Sequence, residues 1–318
     1  MTESQPTAAG YIAPTGKDGE FIRRDSQLRN WISTDGSTPF PAEAGRYHLY
    51  VSLACPWAHR TVIFRRLKGL EDVISLSVVD PIRDERGWAF RDVPGAGPDP
   101  VNGFAFLSEA YFATVAGYDG NVTVPVLWDK ETSQIVNNES SEVIRMLNSA
   151  FNAFTDDQTD YYPEDLRPEI DRINERVYPT VNNGVYRCGF ASSQRAYDRA
   201  FGELFESLDW LEGLLGERRY LTGPRITEAD WRLFTTLIRF DAVYVGHFKT
   251  NRNRIADMEN LSGFLRELYQ WPGIAETVDF DHIKRHYYMT HRALNPRGIV
   301  PLGPTLDLDR PHGREAIG

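Results

Sequence analysis

Cysteine is scarce in this chain. Only Cys55 and Cys188 occur in 318 residues, and they lie far apart in sequence. That spacing argues against a disulfide framework and fits a reducing, cytoplasmic setting. Positive charge is also short: Lys and Arg number 35 against 45 Asp and Glu, a formal net charge of −10. Such a balance argues against nucleic acid or an anionic membrane as partner. No apolar run approaches the length of a membrane span. The opening residues, MTESQPTAAGYIAPTGKDGEF, lack the basic start and apolar centre of a secretory signal. Metal-ligand spacing, a glycine-rich phosphate loop and internal repeats are all missing. The length allows one large domain or two ordinary ones.

Against this background one of the two cysteines stands out. Tyr47 to Leu53 alternates roughly with period two and is rich in aromatic and branched residues, as a strand should be. Thr61 to Leu67 reads as a short helix with Gly69 near its end. Between them stands ACPWAHR. Pro56 suits a first helical position, where no amide proton is needed. Cys55 is therefore expected at a helix N-terminus, where free amides and the helix dipole favour a thiolate. The plainer reading is a small core residue. Ala58 occupies the place where a dithiol oxidoreductase carries its second cysteine. A mixed disulfide on Cys55 must then be resolved by a second thiol molecule. Cys188 reads as buried and inert. His59 is within reach of a thiolate, but its position suggests the helix surface.

The rest of the chain reads as two architectures. Val73 to Val79 is a second strand, parallel to the first through the crossover helix. Residues 81–105 form a long Gly-, Pro- and Asp-containing loop, a length usually kept for function. A short helix follows near Ser108–Ala116. Val122 to Asp129 is strand-like, but Pro125 makes it either an edge strand or a strand that begins at the proline, after a cis bond. Gln134 to Val136 returns as a hairpin. A helix starts near Asn137–Ser141. From about residue 165 helical spacing dominates, over Arg167–Phe190, Ser192–Leu215, Thr227–Val245, Leu261–Tyr269 and Asp281–Thr290. Thr227 and Asp230 form a capping-box pattern. The expected fold class is α/β plus all-α. Residues 1–46 form an N-terminal extension with scattered aromatics (Tyr11, Phe21, Trp31, Phe40), and 47–150 the α/β domain. A linker at 151–165 leads to a helical domain at 166–295, and a tail at 296–318 wraps the surface.

A thioredoxin-like domain followed by a helical one resembles the glutathione-transferase architecture. ACPWAHR, VPVLWD and NNESSEVIRML look like its active-site elements. RDERGWAF at 83–90, NNGVYRCGFA at 182–191, LTGPRITEADWRLF at 221–234 and HYYMTHRALNPRGIVP at 286–301 narrow the match. Together they are similar to the glutathionyl-hydroquinone reductases, or Xi-class glutathione transferases, from Tyr47 to Pro301. The resemblance implies glutathione-dependent reduction of S-glutathionyl-hydroquinones through a mixed disulfide on Cys55, with release of oxidised glutathione. Glutathione is then the co-substrate, no metal is needed, and a homodimer is expected. Cys55 matches the nucleophile. Trp88 matches an aromatic over the bound peptide, and Val124 with the cis-proline match Pro125 would pair with its cysteinyl part. Glu139 and Ser140 match the pair holding the γ-glutamyl end. Tyr186, Tyr287 and Tyr288 match aromatics of the hydroquinone pocket, with Tyr186 or Tyr287 as proton donor. On residues alone, Glu139 and Ser140 also read as a plain helix cap, and adjacent Tyr287 and Tyr288 cannot both face one site. Two other functions fit Cys55. One is an omega-like transferase reducing dehydroascorbate or glutathione mixed disulfides, and the other is a non-catalytic binding module.

Overall fold

The computed structural model of the chain describes residues 13–317. Tyr11 and the first twelve residues of the expected extension lie outside that range, as does residue 318. The described arm carries two short parallel strands, β1 (Ile32–Ser33) and β2 (Phe40–Pro41). It is more than an extension, because Phe21, Ile32 and Phe40 are buried in the common core.

The first layer is a four-stranded sheet. Its strands are β3 (Tyr47–Val51), β4 (Ser75–Val78), β5 (Val126–Asp129) and β6 (Gln134–Asn137), in the order β4-β3-β5-β6. β3 pairs parallel with β4 and antiparallel with β5, and β5 pairs antiparallel with β6. β3 and β5 are interior and buried along their whole length, which explains their nearly continuous apolar and aromatic runs. The edge-strand reading of Pro125 therefore fails. The Val124–Pro125 bond is cis and the ladder begins at Val126, so the proline never needs to donate. Three helices join the sheet: α1 (Pro56–Leu67), α2 (Ser108–Thr114) and α3 (Ser140–Ser149). α1 packs on α3, and α2 on β6.

The second layer is helical. It comprises α4 (Arg167–Val177), α5 (Gly184–Gly189), α6 (Gln194–Glu217), α7 (Glu228–Arg239), α8 (Val245–His247), α9 (Glu259–Tyr269) and α10 (Phe280–Thr290). All twelve residues of α7 are buried, as befits a central helix. Its start is the expected capping box: Thr227 N–H donates to Asp230 Oδ2 at 2.8 Å, and Leu221 N–H to Oδ1 at 2.8 Å. α7 also packs on α1, so it joins the two layers. Arg145 of α3 adds an ion pair to Glu228 of α7 at 2.9 Å.

Two expected single helices are interrupted by wide π turns, at Tyr178–Asn182 and Phe240–Tyr244. In the first, Pro179 has no amide to continue the ladder, and Asn183 N–H bonds Tyr178 O at 2.8 Å, five residues back. The segment 151–165, the expected linker, packs on the core through the buried Phe151 and Tyr161. The tail is anchored by Arg314, which donates to the carbonyls of Leu215, Arg218 and Arg219 at 2.7–3.0 Å. Those are end-of-helix carbonyls of α6 and their neighbours, which otherwise lack partners.

Candidate active site

Cys55 is the N-cap of α1, with Pro56 at the first helical position. Strand β3 ends just before it, so the thiol stands where sheet meets helix. Its Sγ lies 3.7 Å from the carbonyl of Val124, in the cis-proline segment. Burial pushes the thiol above its ordinary value, while the amides of Ala58 and Trp57 and the charges of Arg239 and Arg23 pull the other way. The helix-start amides do favour the thiolate, as expected from the sequence, but desolvation is the larger effect.

The thiol opens on a cavity of about 640 Å³ lined by Phe21, Arg23, Trp57, Arg83, Trp88, Val122, Thr123, Val124, Tyr186, Phe190, His286, Tyr287 and His291. A second cavity of about 480 Å³ shares Arg23, Trp57, Thr123 and Val124 with it, and extends to Ser26, Pro125, Glu139 and Ser140. The two meet at Trp57 and Val124, beside the thiol. One half is aromatic and the other polar.

The polar half is built on the start of α3. Glu139 is its N-cap, and Oε1 accepts from Ser141 N–H at 3.1 Å and the Ser141 hydroxyl at 2.9 Å. Oε2 accepts from Ser26 of the arm at 3.1 Å. Burial opposes its charge, but the Ser141 donors, Arg60 and Ser26 outweigh it and hold the carboxyl below its usual range. Glu139 is thus both cap and lining anion. Ser140 Oγ accepts from the buried Arg60 at 3.4 Å, which leaves its own proton for an outside acceptor. Val124 presents backbone next to both cavities.

The aromatic half holds a tyrosine cluster. Tyr186 and Tyr287 hydroxyls are 2.6 Å apart, and Tyr244 lies 3.1 Å from Tyr287. Three hydroxyls carry three protons, and the two bonds use two of them, so one remains for an acceptor in the cavity. Burial holds Tyr186 and Tyr287 well above the ordinary tyrosine value, so both are protonated at neutral pH. Trp88 lines the cavity with its ring stacked on His286, centroids 5.0 Å apart.

Two sequence expectations fail here. Tyr288 does not line the cavity. It follows Tyr287 on the same helix, so it points about 100° away, and its ring packs on His247 with centroids 4.8 Å apart. His59 is not on a surface. It is fully buried, with Nε2 2.8 Å from Thr277 Oγ1 and Nδ1 3.0 Å from Arg239. Cys188 is buried, and desolvation pushes its thiol up to about 12.

Several site residues escaped the sequence reading. Arg23 comes from the arm and lies over the Trp57 and Tyr186 rings, at 4.9 and 5.0 Å. Tyr244 sits in a π turn that helical spacing hides. Arg91, the loop arginine after Trp88, is not among them: it lines neither cavity and is held by Asp80 and Asp84. His286 is marked in the sequence only by its place beside Tyr287.

Comparison with known proteins fits this geometry. Residues 54–150 match the model of the glutathione S-transferase N-terminal domain, and residues 194–275 match that of its C-terminal domain. Over 304 residues the chain is 56% identical to the glutathionyl-hydroquinone reductase YqjG of Escherichia coli, covering 93% of each. The glutathione-bound structure of YqjG superposes with a TM-score of 0.89, over 91% of this chain and 96% of that one. This chain belongs to the Xi-class glutathione transferases, the glutathionyl-hydroquinone reductases. The reductase PcpF of Sphingobium chlorophenolicum is 52% identical, over 91% of each chain. The Xi transferase of Phanerochaete chrysosporium, also 52% identical, gives a TM-score of 0.87 over 89% of this chain and 97% of that one.

Proposed function

We propose that this enzyme is a glutathionyl-hydroquinone reductase whose nucleophile is Cys55 and whose proton donor is the Tyr186–Tyr287 pair. The observation that carries the residue assignment is the placement of the thiol between a polar cavity and a cavity holding a spare tyrosine proton.

Glutathione carries an ammonium, two carboxylates and two amides. The Glu139 carboxylate suits the ammonium, and the Ser140 hydroxyl with the α3 amides suits the γ-glutamyl carboxylate. The backbone at Val124 and Pro125 pairs with the cysteinyl part as an added strand would. The flat hydroquinone ring fits among Trp88, Tyr186 and Tyr287. The Cys55 thiolate attacks the glutathionyl sulfur. A sulfur–sulfur bond forms, the sulfur–carbon bond breaks, and its electron pair goes to the ring carbon. That carbon takes the tyrosine proton, because a carbanion is a far poorer leaving group than a thiolate. A second glutathione then attacks the mixed disulfide, releases oxidised glutathione and returns the proton. Ala58 offers no internal thiol for that step.

The partners are glutathione and a glutathionyl-substituted hydroquinone. A homodimer and a cytoplasmic setting belong to the same reading, from the family and the two unpaired cysteines; light scattering on the purified protein checks the dimer. Among the described residues no helix is long and apolar enough to cross a membrane.

The test is mass spectrometry of the protein with glutathionyl-menadiol and excess glutathione. Free menadiol, oxidised glutathione and an adduct on Cys55 under limiting thiol are expected. Cys55→Ala should abolish turnover and Cys188→Ala should preserve it. Turnover retained in Cys55→Ala would refute the mechanism.

A further inference from the structure

Arg239 is fully buried at the end of α7, yet no carboxylate lies within ion-pair distance of it among the described residues. All of its partners are neutral. Nε donates to Ala54 O and Nη2 to Leu53 O, each at 2.9 Å, and Nη1 donates to Thr235 O at 2.8 Å and His59 Nδ1 at 3.0 Å. His59 accepts on Nδ1, so it is the Nε2–H tautomer, donating to Thr277, whose hydroxyl donates to Ile274 O at 2.6 Å. Four of the five guanidinium N–H groups thus have neutral acceptors, and His59 stays neutral because burial lowers its pKa.

A buried cation without an anion is costly and persists only where something compensates it. The two carbonyls that Arg239 grips are those immediately before Cys55. We propose that Arg239 is a positioning residue that clamps the Leu53–Ala54 turn and supplies the buried positive charge for the Cys55 thiolate. The anion missing from its surroundings is the thiolate itself, formed in each cycle. Arg239 also leads directly into the π turn carrying Tyr244, which bonds Tyr287. One helix end thus fixes both the nucleophile and the proton-donor cluster.

The other groups facing Cys55 do not replace it. Arg23 approaches from the arm at the cavity, where solvent screens it. Arg83 stands across the cavity over Trp88. Tyr186, Tyr244 and Tyr287 stay protonated at neutral pH, and His286 and His291 are kept neutral by burial.

The proposal rests on Cys55 being the nucleophile, but its test reads thiol acidity and needs no quinol. Iodoacetamide labelling of Cys55 is followed by mass spectrometry across pH, with melting temperature as the check on folding. Arg239→Met should raise the midpoint by about one pH unit or more. Arg239→Lys keeps the charge and should hold the midpoint near wild type, while kcat with glutathionyl-menadiol falls because the clamp is lost. In the unmodified protein the midpoint should not move between low salt and about 1 M NaCl, since a buried charge is not screened. A folded Arg239→Met protein with an unchanged midpoint overturns the proposal. A Lys variant that shifts like Met does the same. So does a salt-dependent midpoint in the unmodified protein, which would assign the charge to Arg23 and needs no variant to fold. Failure of any of these leaves the quinol assay free to succeed.

Discussion

Replacing Tyr287 by Phe removes one oxygen from the centre of the tyrosine cluster. Two hydrogen bonds go with it, one of 2.6 Å to Tyr186 and one of 3.1 Å to Tyr244. At about 0.5–1.5 kcal/mol net for each bond, the folded state should lose about 1–3 kcal/mol. The catalytic effect has a different origin. A positioned general acid contributes about 10²–10⁴ in rate. Tyr186 remains and still faces the cavity, so the lower end applies, about 100-fold or roughly 2.7 kcal/mol of barrier. The assay compares two substrates of one enzyme. Glutathionyl-menadiol has a carbon leaving group that must be protonated, whereas a glutathione mixed disulfide of a small thiol has a leaving group stable as an anion. Turnover of the first should fall about 100-fold, and turnover of the second should not change. Tyr186→Phe with Tyr287→Phe should lose less than the product of the single losses, because both serve one proton. Equal losses on both substrates would show that the hydroxyls shape the cavity without delivering the proton. No loss on either would place the donor elsewhere.

Arg46 grips Asp129 with two bonds, Nε to Oδ1 at 2.9 Å and Nη2 to Oδ2 at 2.7 Å, and the carboxylate is fully buried at the end of β5. Arg46→Met should cost about 3 kcal/mol in urea unfolding by leaving that charge without its cation, with only the Thr132 hydroxyl and Glu131 N–H still donating to it, and adding Asp129→Leu should recover part of the loss. Burial depresses His48 and His247 to about 4 and His286 to about 3. The unfolded chain titrates these near 6.5, so between those values it binds more protons than the folded one. Their contribution is fully present above about pH 6.5 and is lost as the pH falls toward 4, by up to about 3 kcal/mol for a histidine shifted that far. The urea midpoint should therefore drop from pH 7 to pH 5, and a flat or rising midpoint would contradict the burial of these rings.

Much of this was legible in the chain itself. β3, the Cys55 helix start, the hairpin and the Thr227 capping box are local features, set by alternation, proline at the first helical turn and a side chain three residues from its partner. Cys55 and the Glu139–Ser140 helix start could be placed because both depend on where a helix begins. What failed has a common form. His59 read as a surface residue because the spacing of α1 does not reveal that α7 covers it. Helical period cannot show that Pro179 and the Phe240 turn widen the ladder, so Tyr244 went unseen. The arm has no regular pattern, so Arg23 gave no sign of reaching the Trp57 ring.

The sequence by itself determined most of the strand and helix starts and which cysteine stands at a helix N-terminus, because capping, turns and periodicity act over a few residues. Only the tertiary structure decided the electrostatics around that cysteine. Tyr186 and Tyr287 stand 101 residues apart, and His59 and Arg239 stand 180 apart. Burial, which raises the Cys55 thiol, depends on what the whole chain packs over it. Charge and proton position act through space, and folding alone decides which distant residues share that space.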